Sequence, residues 1–104
     1  MIASSVLSVC RPRFQAGRLL MTPGVQQLVH DGTLNLMRYL RRHLSGDWGD
    51  LSDSDRRANN VALRDRDRLL SSYQVTPEVK LWIITEADRQ ATTALLPSEY
   101  WARA

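Results

Sequence analysis

The chain has 104 residues, of which 43% are hydrophobic and 24% charged, and a formal net charge of +3. That length suits one domain able to bury a real core, and no run approaches the roughly 18 apolar residues that would span a bilayer. Cys10 is the single cysteine, so no internal disulfide can form, and a reducing cytoplasm is the simplest compartment.

The charge is uneven along the chain. Residues 1–42 hold six arginines and one acid, Asp31, whereas residues 43–104 hold seven arginines, one lysine and ten acids. Arginine suits planar contacts with carboxylate, phosphate or aromatic faces, although GC-rich coding produces the same bias. A net charge of this size permits contact with nucleic acid without demanding it.

Residues 1–16 show no period and are expected to form a disordered or loosely attached extension. The mildly apolar run Ile2–Cys10 has no basic segment ahead of it, so no signal peptide is expected. Residues 17–104 read as a single domain. Arg18-Leu19-Leu20-Met21 predicts a short strand. Thr22-Pro23-Gly24 opens a helix, with threonine as cap and proline at the first helical position. Val25, Leu28 and Val29 give it an apolar stripe, and Asp31-Gly32 ends it. Thr33 can cap the next helix, whose buried face is Leu36 or Met37, Leu40 and Leu44. Arg38, Arg41 and Arg42 fall toward its other face as a basic ridge near the C-terminus, where the macrodipole favours cations.

Gly46-Asp47-Trp48-Gly49-Asp50 interrupts the helical pattern, since glycine costs about 1 kcal/mol inside a helix. Ser52 with Asp55 resembles a capping box and starts a helix over about 53–65, with Ala58, Val61 and Ala62 as a narrow apolar stripe. From Leu69 the period becomes alternating. Leu69–Val75, Val79–Glu86 and Ala91–Leu96 predict three strands. Thr76-Pro77-Glu78 turns between the first two, and Ala87–Gln90 between the last two. Val79–Glu86 carries large apolar groups on both faces, which places it centrally. The expectation is an α+β fold, with N-terminal helices packed on a C-terminal antiparallel sheet of about three to four strands.

The run from Gly17 to Tyr100 resembles a family of small uncharacterised bacterial proteins, often encoded on plasmids and other mobile elements. The resemblance rests on Thr22-Pro23-Gly24, on His43 with Gly46-Asp47-Trp48-Gly49-Asp50, on Arg68–Tyr73, on Trp82–Arg89, and on Thr92-Thr93, Leu95-Leu96-Pro97 and Glu99-Tyr100. It implies a compact cytoplasmic accessory protein of mobile DNA, and it implies no particular activity.

Several constellations have both a functional and a structural reading. His43 with Asp47 and Asp50 can form a metal site or an acid–base pair. The commoner alternative has the aspartates capping turns and the histidine a helix end, so no metal and no cofactor is expected. Trp48 can be an exposed stacking platform or a plug for the core. Glu86, Asp88 and Arg89 sit at a hairpin end, where an ion pair and a turn need the same residue types.

Two functions follow. The first is a non-enzymatic binding module, of the antirestriction or anti-CRISPR type, that engages a protein or nucleic-acid partner through Arg38, Arg41, Arg42, Asp47, Trp48, Asp50, Glu86 and Asp88. The alternative is a small ribonuclease-toxin-like enzyme. There His43 is general base, Arg89 (or Arg68) stabilises the phosphorane, and Thr93, Thr92 or Tyr100 positions the phosphate. No membrane partner is expected. A homodimer formed by pairing Leu69–Val75 or Ala91–Leu96 across a twofold axis is a further expectation.

Overall fold

The computed structural model describes residues 12–100, so the expectations for residues 1–11 lie outside the described residues. Among the described residues, three α-helices, α1 (Pro23–His30), α2 (Leu36–Leu44) and α3 (Asp53–Asp65), precede most of a four-stranded sheet. Its strands are β1 (Arg18–Met21), β2 (Leu69–Thr76), β3 (Val79–Thr85) and β4 (Ala91–Leu95), in the order β1-β4-β3-β2. The three C-terminal strands form the antiparallel meander that their alternation and turns predict. β1 adds a parallel edge beside β4, so the sheet is mixed. β3 lies inside the sheet, in keeping with its two apolar faces. Among the described residues no helix is long and apolar enough to cross a membrane.

All three helices pack on one face of the sheet. Val25 of α1 and Tyr39 of α2 join Tyr73, Leu81, Ile83 and Ala94 in the main cluster, while Ala62 of α3 joins Leu69 and Trp48 in a second. Strand alternation sends Leu70, Trp82, Ile84, Thr93 and Leu95 to the opposite face.

Three local expectations give way to tertiary contacts. Helix α2 is capped by Asn35, whose side chain accepts from the Arg38 N–H, and not by Thr33. Leu34 is buried ahead of that cap, which delays the helix start. In α3, Ser52 does accept from the Asp55 N–H, but the inward face is Asn59, Ala62 and the half-buried Leu63, whereas Ala58 and Val61 face solvent. An asparagine turns inward because its amide serves a strand: Leu70 N–H donates to Asn59 Oδ1 at 3.2 Å, and Asn59 Nδ2 donates back to the Leu70 carbonyl. Lastly, residues 13–16, expected in the loose extension, lie against the domain. Arg13 N–H donates to the Leu44 carbonyl, the Ala16 carbonyl accepts from Thr92, and Phe14 packs on His43 and Trp48.

The strands proposed above for self-pairing are both occupied. β4 is interior, between β1 and β3. β2 is an edge, but its outward backbone groups are already bonded. Ser72 N–H donates to the Trp48 carbonyl at 3.0 Å, Asp50 N–H donates to the Ser72 carbonyl at 2.6 Å, and Gln74 N–H donates to Asp50 Oδ2 at 3.0 Å. With the Asn59 bonds at Leu70, the segment 48–50 and helix α3 cover this edge as a fifth strand would.

Candidate functional site

Helix α2 points His43 straight at the sheet, where its side chain is fully buried. Nδ1 lies 2.5 Å from Ser71 Oγ on β2, and Nε2 lies 2.9 Å from Thr85 Oγ1 on β3. Thr85 Oγ1 lies 2.7 Å from Thr92 Oγ1 on β4. Thr92 in turn donates to the Ala16 carbonyl at 2.7 Å. One chain of hydrogen bonds therefore links a helix, three strands and the N-terminal segment.

Its direction is fixed by counting protons. A carbonyl only accepts, so the Thr92 proton is spent on Ala16. Thr85 must then donate to Thr92, and it can only accept from His43. The imidazole thus carries its proton on Nε2, and Nδ1 accepts from the Ser71 hydroxyl, an assignment made from the network. Every member is satisfied while the ring is neutral. A second proton on Nδ1 would have to point at an oxygen that is already donating to it.

The electrostatics agree with the geometry. Burial, with the Arg89 charge as a smaller contribution, lowers the His43 pKa from 6.5 to about 3. The ring is walled by Phe14, edge-on at 5.2 Å, and by Trp48 at 5.7 Å. Trp48 is itself 3% exposed, with Nε1–H donating to Asn60 Oδ1 at 2.9 Å. The tryptophan between glycines is therefore a plug for the histidine side of the core.

Arg89 comes close to this centre but is engaged elsewhere. Its guanidinium donates to the carbonyls of Asp67 at 2.7 Å, Glu86 at 3.1 Å, Ala87 at 3.4 Å and Ala62 at 3.4 Å. It lies 5.7 Å from the Phe14 ring centroid. Two of those carbonyls belong to the last turn of α3 and the residues after it, where the helix leaves partial negative charge. Arg89 takes a left-handed φ of 59° to reach them. Burial, then the Arg66 charge, lowers its pKa from the ordinary guanidinium value. It staples α3 to the β3–β4 hairpin.

Thr93 is not brought to His43. The register sets Thr85 beside Thr92 and Ile84 beside Thr93, so Thr92 shares the histidine's face and Thr93 lies on the other. Thr93 is 5% exposed, and its Oγ1 is a buried group without a hydrogen-bond partner among the described residues. Two neighbouring threonines thus have opposite expected responses to the same substitution. Thr93→Val removes an unsatisfied hydroxyl at nearly constant volume and is expected to stabilise the fold by about 1 kcal/mol. Thr92→Val strands the Thr85 proton and the Ala16 carbonyl and is expected to cost about 1–3 kcal/mol. Urea denaturation of the two variants measures both; a loss of stability in Thr93→Val contradicts the assignment.

The remaining predicted site residues separate into structural and exposed groups. Asp47 accepts from Arg42 Nε at 2.7 Å and from the Gly49 N–H at 3.2 Å. The Arg42 hydrogen bond, ahead of opposing burial, holds its carboxyl below the usual range. Arg42 also stacks on the Tyr73 ring at 4.7 Å, and Tyr73 Oη donates to the Asp47 carbonyl at 2.6 Å. Asp50 seals the β2 edge, and Asp88 Oδ1 accepts from the Gln90 N–H within the hairpin turn. Glu86 lies 3.9 Å from Arg68 Nε. Arg38 is exposed and Arg41 half-buried, so this part of the ridge reaches solvent. Among the described residues, no group of three or more His, Cys, Asp or Glu side chains is placed to hold a metal ion.

One surface feature was not foreseen. On the sheet face opposite α1, α2 and α3, Arg68, Leu70, Trp82, Ile84 and Tyr100 line an open recess of about 350 Å³. Trp82 and Tyr100 meet edge-to-face at 5.7 Å. Arg68 Nη1 donates to Tyr100 Oη at 3.3 Å, with its guanidinium 5.6 Å from that ring. The signal was present in the alternation itself, since Leu70, Trp82 and Ile84 form a second apolar face that the helices do not cover. Compared with known proteins, the chain matches no family model, no curated protein and no solved structure.

Proposed function

We propose that the protein is a non-catalytic binding module, an accessory factor of mobile DNA, whose partner is a protein. The recess formed by Arg68, Leu70, Trp82, Ile84 and Tyr100 carries this reading. It offers an apolar floor, two aromatic walls and one cation, the composition of a pocket that receives an anchoring side chain from a partner.

A nucleic-acid partner has less support. Binding a phosphate backbone takes a track of several free cations. Arg68 is engaged by Tyr100 and lies near Glu86, and Arg42 is tied to Asp47, which leaves Arg38 and Arg41 as the solvent-reaching part of the ridge, a short track. The alternative, an RNA-cleaving enzyme using His43, Arg89 and Thr93, needs those groups to converge on one phosphate in a cleft. His43 is sealed and neutral, Arg89 is spent on four carbonyls, and Thr93 is on the opposite face. An antirestriction or anti-CRISPR inhibitor is one form that the proposed module can take.

A photo-crosslinking amino acid in place of Lys80, an exposed position on the same face as Trp82, tests the reading in the native host. It is expected to capture a protein that the same probe at Gln26 misses, and Trp82→Ala is expected to abolish the capture. Capture of DNA or RNA alone, or capture indifferent to Trp82→Ala, overturns it. RNA cleavage by the purified wild type that is lost in a His43→Gln variant still folded by circular dichroism would transfer the reading to the enzyme.

A further inference from the structure

The two edges of the sheet are treated differently. The β2 edge is closed by Trp48, Asp50 and Asn59, as described above. No described residue pairs with the β1 edge, and all four of the strand's residues are exposed. Leu19, Leu20 and Met21 are 53%, 42% and 44% exposed, a run of three large apolar side chains on an edge strand. Beside them Met37 of α2 is also exposed, and Leu19, Leu20, Leu36 and Met37 share one small apolar cleft. Edge strands of this kind pair with other chains unless something blunts them.

The hydrogen-bond parity says which groups are available. Arg18 N–H donates to the Gln90 carbonyl and Thr22 N–H to the Ala94 carbonyl, both toward β4. Alternation then turns the N–H and C=O of Leu19 and Met21 outward. Gly17, at φ 65°, and Pro23, at the start of α1, bound the free stretch.

We propose that the β1 edge is a docking surface for a second copy of this chain. The two β1 strands pair antiparallel about a twofold axis at Leu20, giving one continuous eight-stranded sheet. That register is self-complementary. Leu19 of each copy faces Met21 of the other, and these two pairs exchange four backbone hydrogen bonds. Leu20 meets Leu20 on the axis. Arg18 faces Thr22, whose hydroxyl donates to the Glu99 carboxylate. An exposed guanidinium from each copy is thereby brought beside a carboxylate of the other, so charge complementarity occurs twice. Glu99 is ionised for this role: although burial opposes it, hydrogen bonds from Thr22, Leu96 and Gly24 hold its carboxyl below the usual range. A register centred elsewhere loses either the apolar pairs or the Arg18–Glu99 approach.

The strand is only four residues long, so the interface is small against the roughly 1,200 Å² at the low end of stable complexes. Leu36 and Met37 of both copies extend it on one side. The expected association is therefore weak, with a dissociation constant of about 1–100 µM.

Sedimentation equilibrium of the full chain over a concentration series tests this. A monomer–dimer equilibrium in the micromolar range is expected, and Leu20→Lys, which opposes two ammonium groups on the axis, is expected to weaken it at least about tenfold. Met21→Pro deletes an outward N–H while sparing the donors to β4, and it is expected to weaken the dimer without changing the far-ultraviolet circular dichroism. Hydrogen exchange at Leu19 and Met21 is expected to slow as concentration rises. A monomer throughout the series overturns the proposal. So does a dimer unaffected by either variant, or amide protection at Leu19 and Met21 that is independent of concentration.

Discussion

Replacing His43 by alanine is expected to destabilise the fold by about 3–5 kcal/mol. The Ser71 hydroxyl and Thr85 Oγ1 each lose a buried partner, at roughly 1–3 kcal/mol apiece, and the missing imidazole leaves a cavity beside Phe14 and Trp48. The same residue sets the acid limb of stability. Its folded pKa is lowered to about 3 from 6.5, so between those values the unfolded chain binds a proton that the folded chain refuses. Stability therefore rises with pH across that window and is lost on acidification, at about 1.4 kcal/mol per pH unit. From pH 6.5 down to about pH 4 this amounts to about 3 kcal/mol. Asp47 and Glu99, whose pKa values are also lowered, add to the loss at the acid end, so the comparison needs a variant that keeps them. His43→Gln keeps a donor and an acceptor but does not titrate, and its acid limb is expected to be shallower than the wild type's by the histidine's share. Urea midpoints at several pH values give both curves. Parallel curves would mean that His43 is charged in the fold, and the hydrogen-bond direction derived above would then be wrong.

The second large effect is expected at Gly49. Its φ is +78°, and a Cβ there would lie 2.1 Å from the Ser72 carbonyl oxygen and 2.6 Å from Tyr73 Cδ1. Neither neighbour can yield: the carbonyl holds the Asp50 N–H, and Tyr73 is 1% exposed. Gly32 supplies the control. Its φ is +79°, nearly the same, but nothing lies within 4 Å of its would-be Cβ. Gly32→Ala is expected to cost about 1 kcal/mol for the left-handed backbone alone. Gly49→Ala is expected to cost about 3 kcal/mol or more, since the segment 48–50 must pull away from β2. Uncovering that edge also exposes unpaired backbone, so Gly49→Ala is expected to aggregate on mild heating where Gly32→Ala does not. Equal losses in the two variants would show that segment 48–50 does not press on the sheet as described.

Local pattern was enough to place most elements. Pro23 started α1, although the Thr22 hydroxyl expected to cap it bonds Glu99 instead, Ser52 started α3, and alternation from Leu69 onward delivered the meander. These signals are short-range, since caps, turns and periodicity act within a few residues. Closeness to Arg89 in sequence does not separate Thr93 from Thr92 as the neighbour of His43. The period-2 geometry of a strand sends Thr92 and Thr93 to opposite faces, and only the register of β4 against β3 decides which of them meets the histidine.

The sequence by itself determined an α+β domain with a histidine on the last turn of α2 and a glycine-bracketed tryptophan after it. Tertiary structure alone decided that the tryptophan folds inward, that the histidine sits within a relay of hydroxyls between Ser71 and Thr85, and that β1 lies parallel to β4 with its outer edge unpaired among the described residues. The reason is that burial and edge pairing depend on residues far apart along the chain: Ala16 with Thr92, Trp48 with Ser72, and Asn59 with Leu70. A residue's own neighbours can say that it is able to donate, accept or pack, but the partner that makes it do so comes from another part of the chain.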